Sequence, residues 1–278
     1  MRISYHVWKA YKECPKKFFL EYIKKASPTT TVNDYYKLYG VLTQKFFEMF
    51  CNIWRFKTPH MFPEVIHERM IPLWDNILKT SEVNWTAPFV SMNQQELFEK
   101  AWTDVCAIME SLSQNYFLNS RSEVTIELKL KDEHIINGRL DFIHTDYMAG
   151  NTVVIFDGKG TGKVGKNIDN NQLLFYALLY FFSTKVLPST LGFFYYQLNT
   201  FVPIFFNKEV LDEFRAKLSL DVKEMTSVSE YKTMPCAKSC RYCNYLVGCQ
   251  EGMTAKAGRA RKSKLPELVG DGIVEFGL

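Results

Sequence analysis

Residues 151–160, NTVVIFDGKG, place four consecutive apolar side chains directly before Asp157 and Lys159. A continuous apolar run of that length, bounded by turn residues, reads as a strand buried on both faces. A carboxylate and an ammonium at its end sit where charge is costly unless a partner or a metal offsets it. The chain therefore needs a fold that covers a strand on both sides and opens at the strand's end. An α/β sheet flanked by helices does this.

The flanking sequence agrees. SEVTIELKLKD (122–132) and INGRLDFIHTD (136–146) alternate like strands, and MAGN (148–151) supplies turn chemistry before the buried strand. A helix is expected at 168–183, strands at 191–200 and 201–206, and a last helix at 208–227. The first 120 residues read as helical. Two pieces flank Cys14-Pro15, a long helix spans 33–56 with Asn33 as its cap, and two more cover 64–80 and 93–117. The expected architecture is a mixed central sheet flanked by helices, with a helical N-terminal part and a C-terminal cysteine loop. It forms one domain over 1–270, made of a helical part (1–120), an α/β core (121–228) and a cysteine segment (236–249). A basic tail covers 251–278.

The placement of charge matters more than its total. Residues 252–264 carry Lys256, Arg259, Arg261, Lys262 and Lys264 and no acid; the 34 basic residues less these five leave 29 against 30 acids elsewhere. A basic tail of this kind suits phosphates. The N-terminus has no apolar signal-peptide core, and the longest apolar run, LLFYALLYFF (173–182), falls short of the about 20 residues a membrane span needs. The expectation is a cytoplasmic or otherwise intracellular protein with no membrane partner.

Asp141, in GRLDFI, and Asp157 are two carboxylates at strand ends. If they converge, they form a hard-oxygen site for Mg²⁺ or Mn²⁺. Lys159, two residues after Asp157 on the same face of the strand, is placed to orient water or neutralise a phosphate. That is what phosphodiester hydrolysis requires.

Seven cysteines are an odd count with uneven placement. Cys51 and Cys106 lie in apolar helical context and read as buried thiols. Cys236, Cys240, Cys243 and Cys249 cluster, with Cys14 distant in sequence, which favours a metal site over disulfides. The four clustered thiols alone could bind Zn²⁺.

Gly138-Arg-Leu-Asp141, Asp157-Gly-Lys159 and Gln172-Leu-Leu-Phe-Tyr176-Ala177 resemble motifs of the RecB-like nucleases of the PD-(D/E)XK superfamily. The resemblance implies that Asp141 and Asp157 bind the metal, with the Gly158 carbonyl in its shell, and that Lys159 serves catalysis. Glu127 adds a further carboxylate, and Gln172 and Tyr176 contact DNA. The family's early-helix Gly-x-x-x-His appears as Gly40-Val-Leu-Thr-Gln44, which makes Gln44 a modified ligand position, with His6 or His144 as substitutes. Lys163 and the basic tail are expected on the phosphate backbone, and Tyr35, Tyr36 and Tyr39 are candidates for base stacking. A subset of these nucleases, including CRISPR-adaptation nucleases and the AddB subunit, pairs an N-terminal Cys with Cys-x2-Cys-x5-Cys. Cys14, Cys240, Cys243 and Cys249 match that pattern and imply a [4Fe–4S] cluster, with zinc through Cys236, Cys240, Cys243 and Cys249 as the alternative. The expected activity is a metal-dependent DNA exonuclease on single-stranded or frayed ends, with a helicase or integrase-type protein as possible partner. A non-catalytic nucleic-acid-binding subunit and an endonuclease are the rival readings.

Overall fold

The structure is a computed structural model. It describes residues 1–28, 35–55, 63–81, 83–88, 90–111, 119–130, 133–147, 150–165, 168–241 and 243–262. The chain divides into two compact units, with one cut inside the first helix. The larger comprises Met1–Trp8 and Asn33–Ser227, the smaller Lys9–Val32 and Val228–Leu278.

The elements run β1 (Arg2–Ile3), α1 (Tyr5–Glu13), α2 (Pro15–Phe18) continued by a π turn (Phe19–Ile23), then α3 (Tyr35–Arg55), α4 (Pro63–Thr80) and α5 (Gln94–Ser111). The core follows with β2 (Ser120–Lys129), β3 (Ile135–Asp146), β4 (Thr152–Lys159), α6 (Asn170–Thr184), β5 (Thr190–Tyr195), β6 (Thr200–Ile204) and α7 (Lys208–Ser227). Two helices complete it, α8 (Ala237–Cys240) and α9 (Gln250–Lys262). The mixed α/β architecture is the expected one. Two details differ. The expected strand 191–200 breaks after Tyr195 into a 3₁₀ turn, Tyr196–Leu198, and the two-residue β1 had no sequence signal.

The larger unit holds a mixed sheet in the order β1-β3-β4-β5-β6, with β2 paired to β3. β4 is central, antiparallel to β3 and parallel to β5, so both its edges are hydrogen-bonded. This is the role its apolar run demands. Phe156 of β4 stacks on Phe142 of β3, with ring centroids 4.3 Å apart, and Phe47 of α3 packs against Phe142, Phe156 and Phe194. α3, α4 and α5 share this core through Phe46, Trp74, Phe98 and Ile108. Tyr35 and Tyr39 belong to the same core, at 5% and 6% exposure. Tyr35 hydroxyl lies 3.1 Å from Ser91 Oγ, and Tyr39 hydroxyl donates to Asp104. Their apolar surroundings exclude the base-stacking role expected for them; the Tyr36 side chain lies outside the described residues.

On the other flank α6 is capped by Asp169, whose carboxylate accepts from Asn171 N. Gly138 lets α6 approach β3, because a Cβ there would stand 2.6 Å from Leu179 Cδ1. Trp8 Nε1 donates to buried Asp221 of α7 at 2.9 Å, tying the N-terminal residues to the last helix of the unit.

Backbone proximity also fixes α3 at the end of β4. A Cβ on Gly160 would lie 2.8 Å from Gly40 Cα and 3.0 Å from Tyr39 Cδ1, whereas one on Gly40 meets nothing within 4 Å. The two glycines therefore predict opposite outcomes. Gly160→Ala should destabilise by about 1–3 kcal/mol through overpacking against backbone. Gly40→Ala, inside a helix, should stabilise by up to about 1 kcal/mol. Urea unfolding of the two variants checks this.

Candidate active site

β4 carries Asp157 to the edge of the sheet interior, where it is 3% exposed. Its two oxygens are taken separately. Lys159 Nζ lies 2.5 Å from Oδ2, and Gln172 Nε2 donates to Oδ1 at 2.6 Å. Gln172 is one turn before Tyr176 on α6, and the same Nε2 reaches Tyr176 hydroxyl at 3.1 Å. Lys159 also donates to Gln172 Oε1 at 3.4 Å and sits 5.1 Å above the Phe193 ring. Asp141 of β3 joins from the neighbouring strand, where its Oδ2 accepts Gly158 N–H at 3.0 Å. The strand pairing therefore brings GRLD and DGK together. A side chain at 158 would collide with Tyr196 hydroxyl, which explains the glycine between the acid and the lysine.

Burial pushes the Asp141 carboxyl above its usual range, and the Asp157 and Glu123 charges add to this; Gly158 N–H and Lys159 oppose it. Burial, then Asp157 and Asp141, also raise Tyr176, which keeps its phenol protonated. The site holds more negative charge than its own cations neutralise, a condition a divalent cation relieves.

The expected residues do not all gather here. Glu127 lies four residues along β2 from the strand position opposite Asp141 and is paired with Arg2, with nearly half its side chain exposed. The structure does not bring it to the two aspartates. Glu123 takes that place, with a side chain 10% exposed. Its backbone is left-handed, φ +54° inside a strand, and the flanking pairs Ser122↔Phe142 and Val124↔Leu140 set it across from Asp141. The β2–β3 hairpin, closed by Leu130 N–H donating to His134 O, fixes that register. Counting outward from the hairpin would have found Glu123 in the sequence. Gln44 of α3 links two groups: Tyr196 hydroxyl donates to its Oε1 at 2.6 Å, and its Nε2 donates to Glu123 Oε1 at 2.9 Å. His144 is buried beside Ser120 Oγ at 3.0 Å, and His6 is exposed and packed edge-on to Tyr5. Lys163 is exposed in the segment after β4.

In the smaller unit, Lys16 N–H donates to Lys232 O, and Phe19 stacks on Tyr231. This pairing sets Cys14, the cap of α2, into a cavity of about 840 Å³ also lined by Cys240, Cys243 and Cys249. The Cys249 and Cys240 sulfurs both lie against Gly252, 3.1 and 3.5 Å from the point where its Cβ would stand. Burial raises the Cys243 thiol, with Cys14 and Cys240 adding to the shift. Cys236 is exposed and outside this lining. Among the described residues no three His, Cys, Asp or Glu side chains converge tightly enough to hold a metal ion as they stand. No described helix is long and apolar enough to cross a membrane. The basic tail begins within α9, where Lys256 is exposed, and residues 263–278 lie outside the described residues.

Two carboxylates brought together from adjacent strands, with a lysine where the central strand ends, are groups that suit metal-assisted hydrolysis of a phosphodiester. A family model for the PD-(D/E)XK nuclease superfamily matches residues 2–250, and the chain belongs to that superfamily. Among solved structures, a Eubacterium rectale protein named "Putative exonuclease" aligns over 87% of each chain at 11% identity with TM-score 0.50, a likeness of fold. The structure of SSO0001 aligns over 77% of this chain and 96% of its own at 16% identity, with TM-score 0.36. No curated protein matches the chain.

Asp141→Asn should raise the melting temperature at neutral pH in metal-free buffer. A carboxyl whose folded pKa is raised contributes its stability fully below its unfolded value, about 3.9, and loses it as pH rises through the folded value. The gain from asparagine should therefore fade on acidification. Added Mn²⁺ should stabilise the wild type and leave the variant unmoved, as thermal melts across pH would show.

Proposed function

We propose that the protein is a metal-dependent DNA nuclease, working as an exonuclease on single-stranded or frayed ends. The observation that carries this reading is the buried Asp157–Lys159 pair beside charge-stressed Asp141. PD-(D/E)XK nucleases generally use Mg²⁺ or Mn²⁺. The donor set fits such a cation, because two carboxylates and the Gly158 carbonyl are hard oxygens and Asp141 is destabilised without a counter-charge. Bound there, the metal would polarise the scissile phosphate and acidify its water.

The chain's own groups have distinct tasks. Gln172 holds Asp157 Oδ1 and Lys159 together, so the carboxylate presents one fixed face. Its amide is satisfied inside the site, so Gln172 orients the acid and the lysine, while Tyr176 keeps a proton for a phosphate oxygen. Lys159, once exchanged from Asp157 onto the nucleophile, orients it toward phosphorus. Lys163, exposed after β4, would meet the phosphate backbone, and so would the basic tail, where Lys256 is exposed.

For the smaller unit, the four thiols of one cavity fit a [4Fe–4S] cluster, and Cys236, outside that lining, does not favour the zinc alternative. The cluster would hold the two sequence-distant segments of that unit together.

Linear single-stranded DNA with Mn²⁺ should be degraded by the wild type and not by Asp141→Asn or Lys159→Ala, while a closed single-stranded circle should survive. Cutting of the circle would make it an endonuclease, and binding without cleavage a non-catalytic subunit. Anaerobically purified protein should show iron and a visible absorption band, both lost in Cys14→Ser and retained in Cys236→Ser. Colourless protein holding zinc would overturn the cluster.

A further inference from the structure

We propose that Arg139 is a phosphate anchor of the substrate strand, held in place by a hydrogen-bonded chain running Tyr196–Gln44–Glu123. The inference rests on the nuclease reading above and names a residue that reading does not use.

The chain is directional. Tyr196, 2% exposed, donates its hydroxyl to Gln44 Oε1 and so fixes which way the amide faces. Gln44 Nε2 is thereby turned to donate to Glu123 Oε1. Glu123 Oε2 then lies 2.5 Å from Arg139 Nε. The left-handed backbone at Glu123 is costly for a side chain other than glycine's, about 1–3 kcal/mol for such strain, and persists where surrounding contacts enforce it. Here those contacts aim the carboxylate at Gln44 and Arg139 together.

Arg139 itself differs from the rest of the chain, being 64% exposed while Glu123 is 10% exposed. A guanidinium held by Nε keeps its terminal nitrogens, which match two phosphate oxygens in a planar fork. Arg139 stands two residues before Asp141 on β3, a spacing that sets both on one face of the strand, and it opposes the rise of the Tyr176 phenol. Charge gives the same answer. Among the described residues the cations paired with Asp157 and Glu123 beside Asp141 are Lys159 and Arg139, so an approaching phosphodiester needs a fixed cation at the rim even before a metal arrives. A glutamine at position 44 then has a function of its own. Its oxygen accepts and its nitrogen donates at once, relaying Tyr196 to Glu123.

The test is binding of a fluorescein-labelled oligothymidylate, by anisotropy in EDTA over a range of salt. Arg139→Ala should weaken binding about tenfold and lower the slope of log K against log salt by about 1. Arg139→Lys should restore the slope and only part of the affinity. Glu123→Gln should weaken binding in the wild-type background and not in Arg139→Ala, because it acts through the arginine. Unchanged affinity and slope in a folded Arg139→Ala would overturn the anchor. Equal losses from Glu123→Gln in both backgrounds would overturn the chain. Binding is read without metal, so a wild type that binds but never cleaves would sink the nuclease reading and leave this one standing.

Discussion

The active end of the sheet depends on one buried carboxylate. Asp157 terminates a strand that is hydrogen-bonded on both edges, and an unpaired charge there would cost several kcal/mol. Lys159 and Gln172 divide its two oxygens between them, so the strand can end in charge without unravelling. Each of these partners is then fixed by the need to serve Asp157. Lys159 must follow at two residues on β4, and Gln172 must stand on the first turn of α6, which Asp169 caps and Gly138 admits close to β3. The helix position, the glycine and the capping residue are consequences of satisfying one acid.

Close backbone packing does comparable work on the other side. Gly160 meets Gly40 where β4 ends, and Gly158 meets Tyr196 hydroxyl. These contacts bring α3 and the 3₁₀ turn after β5 together, which is how Gln44 and Tyr196 come to share a bond. The premature end of β5 is part of the same arrangement. Had the strand continued past Tyr195, pleating would have set the direction of Tyr196 by alternation alone. The 3₁₀ turn frees it to reach Gln44.

The smaller unit shows a second way to join distant segments. Its sequence-remote pieces meet through aromatic contacts, Phe19 stacked and Phe18 tilted on Tyr231, and a backbone hydrogen bond from Lys16 to Lys232. Proline at the first helical position after Cys14 directs the chain into α2 without wasting a donor. The thiols then face a common space. Burial above all, and after it Cys14 and Cys240, hold the Cys243 thiol up, a penalty on the thiolate of the kind a positively charged group relieves.

The sequence by itself determined most of the elements and the acid–lysine core. The period-2 and period-3.6 patterns are local, and four apolar residues before Asp157 leave a chain little freedom except a central strand. The motif spacing that resembles the RecB-like nucleases likewise sits within two strands and one helical turn. Tertiary structure alone decided the tyrosines and the meaning of Gln44, and the third carboxylate needed the hairpin register in addition to the sequence. Glu123 rather than Glu127 stands at the site because hairpin register and a left-handed residue put it there, and neither is read from composition. Tyr35 and Tyr39 went to the core because α4 and α5 needed a surface to cover. Gln44 became a link because Tyr196, 152 residues away, arrived beside it. Such contacts join residues whose proximity is a product of packing, and packing is a property of the whole unit, which no local pattern encodes.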